Sequence, residues 1–180
     1  MNLANWISFF RIVLVPCLVA SVLYYHPSRD GLRYLTAGLF ILAMLSDALD
    51  GFVARRMGQG SQLGAILDPI ADKLLVLSML ISLSTVHGLP AALRIPAWFN
   101  LIVISRDVIL MAGTGLLIAF KGSVPINPTQ LGKTAIVAQM LVIPLVLLQL
   151  PFKTELLLVA AVLTVISGID YIRLGLRHFA

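Results

Sequence analysis

Charge is what this chain has least of. Only 12% of its 180 residues are Asp, Glu, Lys or Arg, about half the share of an ordinary soluble domain, and this excludes a globule with a charged, water-facing surface. Acid is the scarcer sign, with eight acidic residues against thirteen basic ones and a formal net charge of +5. Cysteine is nearly absent too. A single Cys17 excludes an intrachain disulfide or a thiolate metal cluster, and its place in an apolar run is the setting of a buried small hydrophobe. The three histidines are scattered, so no His pair has the spacing that recruits zinc. Repeats, low-complexity tracts and polar linkers are also lacking, which excludes a solenoid or a string of tethered domains.

What the chain has in abundance is apolar residues, 59% of the total, with a mean hydropathy of +1.00. They fall into runs at residues 6–25, 34–52, 67–86, 95–120, 131–150 and 156–176, each close to the about 20 residues that cross a bilayer. Turn and breaker residues separate the runs: His26 to Gly31, Gly58 to Ser61, His87 to Pro90, Lys121 to Pro128, and Pro151 to Lys153. The pattern predicts an all-α membrane protein of about six transmembrane helices in a single domain spanning 1–180. No small-residue cleavage site follows the first run, which is expected to remain as a span.

An even number of spans puts both termini on one side. That side collects Arg11, Arg55, Arg56, Lys73, Lys121, Lys133, Arg173 and Arg177, against Arg29, Arg33, Arg94 and Lys153 on the other. The excess predicts cytoplasmic termini. Basic residues that flank apolar spans meet lipid head groups, so the positive balance does not point to nucleic acid.

Against this background four carboxylates stand out. Asp47, Asp50, Asp68 and Asp72 are half of the eight acidic residues, and a carboxylate persists in a bilayer only beside a cavity, a counter-ion or a task. Asp47 and Asp50 are three apart, with Gly51 and Ala54 close behind; Gly64, Asp68 and Asp72 follow in steps of four. On helices these steps put each set near one face. Two such stripes across a hairpin would converge oxygen ligands on one point, which suits Mg²⁺ or Mn²⁺, and such ions commonly sit on phosphates. Gly51 and Ala54 lack bulk where a ligand or helix approaches, Arg55 offers planar donors to phosphate oxygen, and Lys73 either plays a similar part or only snorkels. Two other readings share the spacing: polar residues that join helices, and a divalent-cation transporter. A transporter would be expected to show paired halves, and the acidic pattern occurs once.

Taken together, Asp47-x2-Asp50-Gly51-x2-Ala54-Arg55-x8-Gly64-x3-Asp68-x3-Asp72 resembles the full motif of the CDP-alcohol phosphatidyltransferases, with every fixed position present. Asn5, Ser8, Arg11 and Pro16 resemble the family's short amphipathic N-terminal segment and first span. The resemblance implies metal-dependent transfer of a phosphatidyl group from CDP-diacylglycerol to an alcohol, with release of CMP. It implies that Asp47, Asp50 and Asp68 hold Mg²⁺ or Mn²⁺ on the diphosphate, and that Asp72 both touches the metal and takes the acceptor's proton. It places Gly51, Ala54, Arg55, Ser61 and Gly64 against the CDP-lipid, although Gly60-Ser61 is also an ordinary turn pair.

The acceptor is written elsewhere. Gly132-Lys133-Thr134-Ala135-Ile136-Val137-Ala138-Gln139 resembles the Gly-Lys-x-Lys-Thr-x-x-Gln stretch of members that use glycerol phosphate, with Ala135 and Ile136 where those have Lys and Thr. Ser105-Arg106-Asp107 resembles the version in the family's cardiolipin synthases. Arg106 and Lys133 are two cations able to hold an acceptor phosphate; alternatively Arg106 pairs with Asp107 within its helix and Lys133 only sets topology. Glycerol 3-phosphate is the expected acceptor and phosphatidylglycerol the alternative. The resemblance also implies a homodimer among membrane lipids, in a bacterial-type inner membrane with its site facing the cytoplasm.

Overall fold

In lipid a backbone must satisfy its own N–H and C=O groups, so apolar runs of membrane length fold as helix. A computed structural model describes the backbone of residues 3–57, 62–121 and 129–179, and the side chains of 9–28, 30–46, 69–117, 119–120 and 129–175. Among the described residues there are six α-helices, α1 (Leu3–Leu23), α2 (Gly31–Met57), α3 (Gln62–Thr85), α4 (Ala97–Lys121), α5 (Gln130–Leu147) and α6 (Lys153–Phe179), with two single 3-10 turns at Pro27–Arg29 and Ala91–Leu93. Three segments, Ala91–Leu117, Gln130–Leu147 and Lys153–Gly175, are long and apolar enough to cross a membrane, and Phe9–Leu23 and Gly31–Ser46 are shorter apolar ones.

The chain divides into two compact units, Met1–Ile95 with Ile143–Leu150, and Pro96–Val142 with Pro151–Ala180. In the first, α1 packs on α2 and α3. Its buried stripe is Arg11, Leu14, Leu18 and Val22, successive turns of one face. Ala37 and Ala43 of α2 and Ala71 of α3 are buried with it, small side chains of the kind that let membrane helices approach closely. In the second unit α4 packs on α6, with Phe99, Val103, Leu157, Ala160 and Ala161 buried. Large apolar residues point outward, among them Leu101 at 68% and Met111 at 67% exposed, a liability in water and the expected surface in lipid.

Several hydroxyls are satisfied within their own helix. The hydroxyls of Thr36, Ser46, Ser82, Thr85 and Thr164 each donate to the carbonyl four residues back, which removes a free donor from the apolar phase. At the entry to α2, Arg33 Nη2 donates to Asp30 at 2.7 Å and to the Tyr34 hydroxyl at 2.9 Å. Tyr25 donates to Asp30 at 3.1 Å; burial first, and then this carboxylate, push the Tyr25 phenol up. Arg33 is buried. The charge that weighed against cytoplasmic termini is therefore half of an internal ion pair.

The helix ends depart from the apolar runs by one to five residues, and at two of them the local cause is visible. The α2 helix begins at Gly31, ahead of the apolar run, where Asp30 and Arg33 tie its first turn, and it runs to Met57. The α5 helix stops at Leu147: Leu150 N–H bonds the Leu145 carbonyl at 3.0 Å and Gln149 N–H that of Val146 at 3.1 Å, with Gln149 at φ 54°. This is a Schellman end with a glutamine in the left-handed position. Cys17, expected to be buried, is exposed, since the α1 core stripe passes through Leu14 and Leu18.

Candidate active site

The backbone is helical across both halves of the acidic motif. Asp47, Asp50, Gly51, Ala54 and Arg55 fall on α2, and Gly64, Asp68 and Asp72 on α3, so their steps of three and four are helical steps. The side chains of Asp47, Asp50, Ala54, Arg55 and Asp68, and the surroundings of Gly51 and Gly64, lie outside the described ones, and Ser61 and the expected Gly58 to Gly60 closure lie outside the described residues. Asp72 is described. Arg11 Nη1 donates to Asp72 Oδ1 and pairs with it. Arg11 is fully buried at 0% exposure while Asp72 is 25% exposed, so the guanidinium meets the carboxylate from the interior of the α1–α3 packing. Removing one partner of such a pair strands the other charge, at a cost of about 3–5 kcal/mol.

Sequence reading placed Arg11 among the cytoplasmic-side charges and among the residues resembling the family's first span. It did not pair Arg11 with Asp72, because a contact between residues 61 apart leaves no local signal. The donor set of the motif fits a hard divalent ion: it is oxygen only, and the one described carboxylate is both partly open and held in place by a buried cation. Lys73 sits half-buried beside it on α3.

The second candidate group lies in the Pro96–Val142 and Pro151–Ala180 unit. Arg106 of α4 is 6% exposed. Its Nη1 donates to Asp107 at 2.8 Å and its Nη2 to Ser167 of α6 at 3.1 Å, and its Nε has no hydrogen-bond partner among the described residues. The internal pair with Asp107 is thus present, and so is spare donor capacity. Lys133 is exposed in the first turn of α5, its N–H bonded to the Thr129 carbonyl at 3.1 Å. Sequence reading missed Tyr171, whose ring centroid is 5.7 Å from the Arg106 guanidinium carbon and whose hydroxyl accepts from the Thr129 N–H at 3.3 Å. Beside Arg106, α4 and α6 enclose an open groove of about 340 Å³, lined by apolar residues such as Leu101, Ile109, Val165 and Ile172.

The sequence profile described as CDP-alcohol phosphatidyltransferase matches residues 1–166. A Mycobacterium tuberculosis protein named "Probable phosphatidylglycerophosphate synthase" is 32% identical over 181 residues, 98% of this chain and 82% of its own length. A Haemophilus influenzae protein named CDP-diacylglycerol–glycerol-3-phosphate 3-phosphatidyltransferase is 32% identical over 179 residues, 97% of this chain and 93% of its own. A Mycobacterium bovis protein whose name marks it provisionally as a cardiolipin synthase is 34% identical over 148 residues, 82% of this chain and 65% of its own. The chain belongs to the CDP-alcohol phosphatidyltransferase family. It is an integral membrane transferase of phospholipid biosynthesis, and the family makes its substrates CDP-diacylglycerol and an alcohol.

Proposed function

We propose that the chain transfers the phosphatidyl group of CDP-diacylglycerol to glycerol 3-phosphate, forming phosphatidylglycerophosphate and CMP. One observation carries the choice of acceptor: relatives named for that reaction or for its product align over at least 97% of the chain. The four carboxylates Asp47, Asp50, Asp68 and Asp72 would hold Mg²⁺ or Mn²⁺, which supplies neutralisation of the charge on the diphosphate. Gly51, Ala54 and Gly64 leave room for the CDP group, and Arg55 and Ser61 donate to its oxygens. Asp72 takes the proton of the acceptor hydroxyl as that oxygen bonds to the lipid-bearing phosphorus. The bond from this phosphorus to the bridging oxygen breaks, and CMP leaves with the electron pair. Arg106 and Lys133 hold the acceptor's phosphate.

In this reading residues 1–180 are one six-span domain with both termini in the cytoplasm. The length of the six helices and the basic bias towards the terminus side support it. The homodimer and a bacterial-type inner membrane rest on the resemblance. A second reading, phosphatidylglycerol as acceptor with cardiolipin as product, is favoured by the apolar groove beside Arg106, which has room for part of an acyl chain, and by Ser105-Arg106-Asp107.

The test is CMP release by purified protein given CDP-diacylglycerol, Mg²⁺ or Mn²⁺, and either acceptor. Release with glycerol 3-phosphate is expected; release only with phosphatidylglycerol moves the assignment to the second reading, and no release with either sinks both. Asp72→Asn is expected to lower kcat by about 10²–10⁴-fold, the usual contribution of a general base, and full activity in that variant removes the role.

A further inference from the structure

Tyr171 of α6 is engaged by both α4 and the N-terminal turn of α5. Its hydroxyl accepts from the Thr129 N–H at 3.3 Å, and the Arg106 guanidinium carbon lies 5.7 Å from its ring centroid. A Cβ built on Gly132 would come within 3.1 Å of Tyr171 Cε2 and 3.2 Å of its hydroxyl oxygen. Carbon atoms settle about 3.5–4.0 Å apart, so glycine at 132 is what lets the ring lie there. Thr129 in turn caps α5: its hydroxyl accepts from the Gly132 N–H at 3.1 Å and its carbonyl from the Lys133 N–H at 3.1 Å. One half-buried ring therefore bears on the arginine of one helix and on the turn that carries the lysine of another.

We propose that Tyr171 is a positioning residue of the acceptor side, setting the Arg106 guanidinium and the turn at residues 129–133 at the separation that the acceptor's phosphate requires. The proposal rests on the reading of Arg106 and Lys133 as acceptor-binding. Three features support it. The face of an aromatic ring attracts a guanidinium without using up its N–H donors, which stay available for other partners. The Arg106 Nε, without a hydrogen-bond partner among the described residues, is such a donor. Ring and turn lie close enough that a Cβ at position 132 would press on the ring at 3.1 Å, and the Thr129 N–H is bonded to the ring's hydroxyl. A residue that only filled space would affect folding and both substrates alike, whereas a positioning residue affects the substrate whose contacts it aligns.

The experiment measures CMP release by the purified full chain in lipid–detergent micelles, varying glycerol 3-phosphate and CDP-diacylglycerol separately and recording Tm for each variant. Tyr171→Leu is expected to raise KM for glycerol 3-phosphate about tenfold, with KM for CDP-diacylglycerol and Tm close to the unaltered protein. Tyr171→Phe, which keeps the ring, is expected to raise the same KM about threefold, the loss of one long hydrogen bond. Gly132→Ala acts in the same direction, and Gly132→Ala with Tyr171→Leu is no weaker than Tyr171→Leu alone, because the clashing ring is gone. If Tyr171→Leu does not fold, Tyr171→Phe and Gly132→Ala decide, and an unchanged acceptor KM in both overturns the proposal. Equal changes in both KM values with a lowered Tm also overturn it, since that is packing alone. Arg106→Lys and Lys133→Ala report on the reading beneath: an unchanged acceptor KM in both defeats the acceptor assignment, whereas a raised one there and not in the Tyr171 variants defeats only the positioning role.

Discussion

Arg11 and Asp72 set the electrostatics of the only motif carboxylate among the described side chains. A guanidinium at 0% exposure is tolerable only because an anion meets it. Arg11→Met is therefore expected to strand Asp72 and to lower stability by about 3 kcal/mol, read as a fall in Tm, and to reduce CMP release as well. Arg11→Lys keeps the charge without the planar fork and should recover part of both. A wild-type Tm in Arg11→Met would show that the pair contributes nothing. At this scale the sequence was uneven. Asp72 was legible because its spacing to Asp68 belongs to a motif, while its partner was not, because nothing local connects residues 61 apart.

At the scale of elements, hydropathy located the helices and local chemistry set their ends. The apolar runs and the helices coincide in their centres and part at their termini, where charged pairs such as Asp30 with Arg33 extend a helix beyond its greasy stretch. The end of α5 offers a direct test. Gln149 occupies a left-handed conformation at φ 54°, costly for any residue with a Cβ and nearly free for glycine. Gln149→Gly is expected to raise stability by about 0.5–1 kcal/mol, measured by thermal unfolding in detergent; a lower Tm would mean that the glutamine side chain stabilises this turn by more than its backbone strain costs. The same logic, read in reverse, explains Gly132. It needs no unusual backbone angle, only the absence of a side chain where Tyr171 lies, and no sequence pattern distinguishes that kind of glycine from a flexible one.

Across the described residues apolar side chains cover the outside as well as filling the core. Buried Arg11, Arg33, Arg106, Gln139 and Ser167 face inward while Leu101, Met111 and Phe152 face outward, the arrangement a bilayer selects. The proposed cytoplasmic termini make a sided prediction. In a Cys17→Ser background, Lys133→Cys is expected to react with a membrane-impermeant maleimide from the cytoplasmic side, and His87→Cys, at an exposed loop position, from the opposite side. Labelling of both from one face would overturn the topology.

By itself the sequence determined membrane residence, helical class and family, because mean hydropathy and fixed spacing along a helix are properties of the chain alone. The tertiary structure alone decided which remote groups meet: Arg11 with Asp72, Gln139 with Thr164, and Tyr171 against both Arg106 and the Gly132 turn. Such contacts depend on which face each helix turns to its neighbour. That orientation is settled by packing small residues against large ones across helices, a balance that spacing within any one helix does not contain.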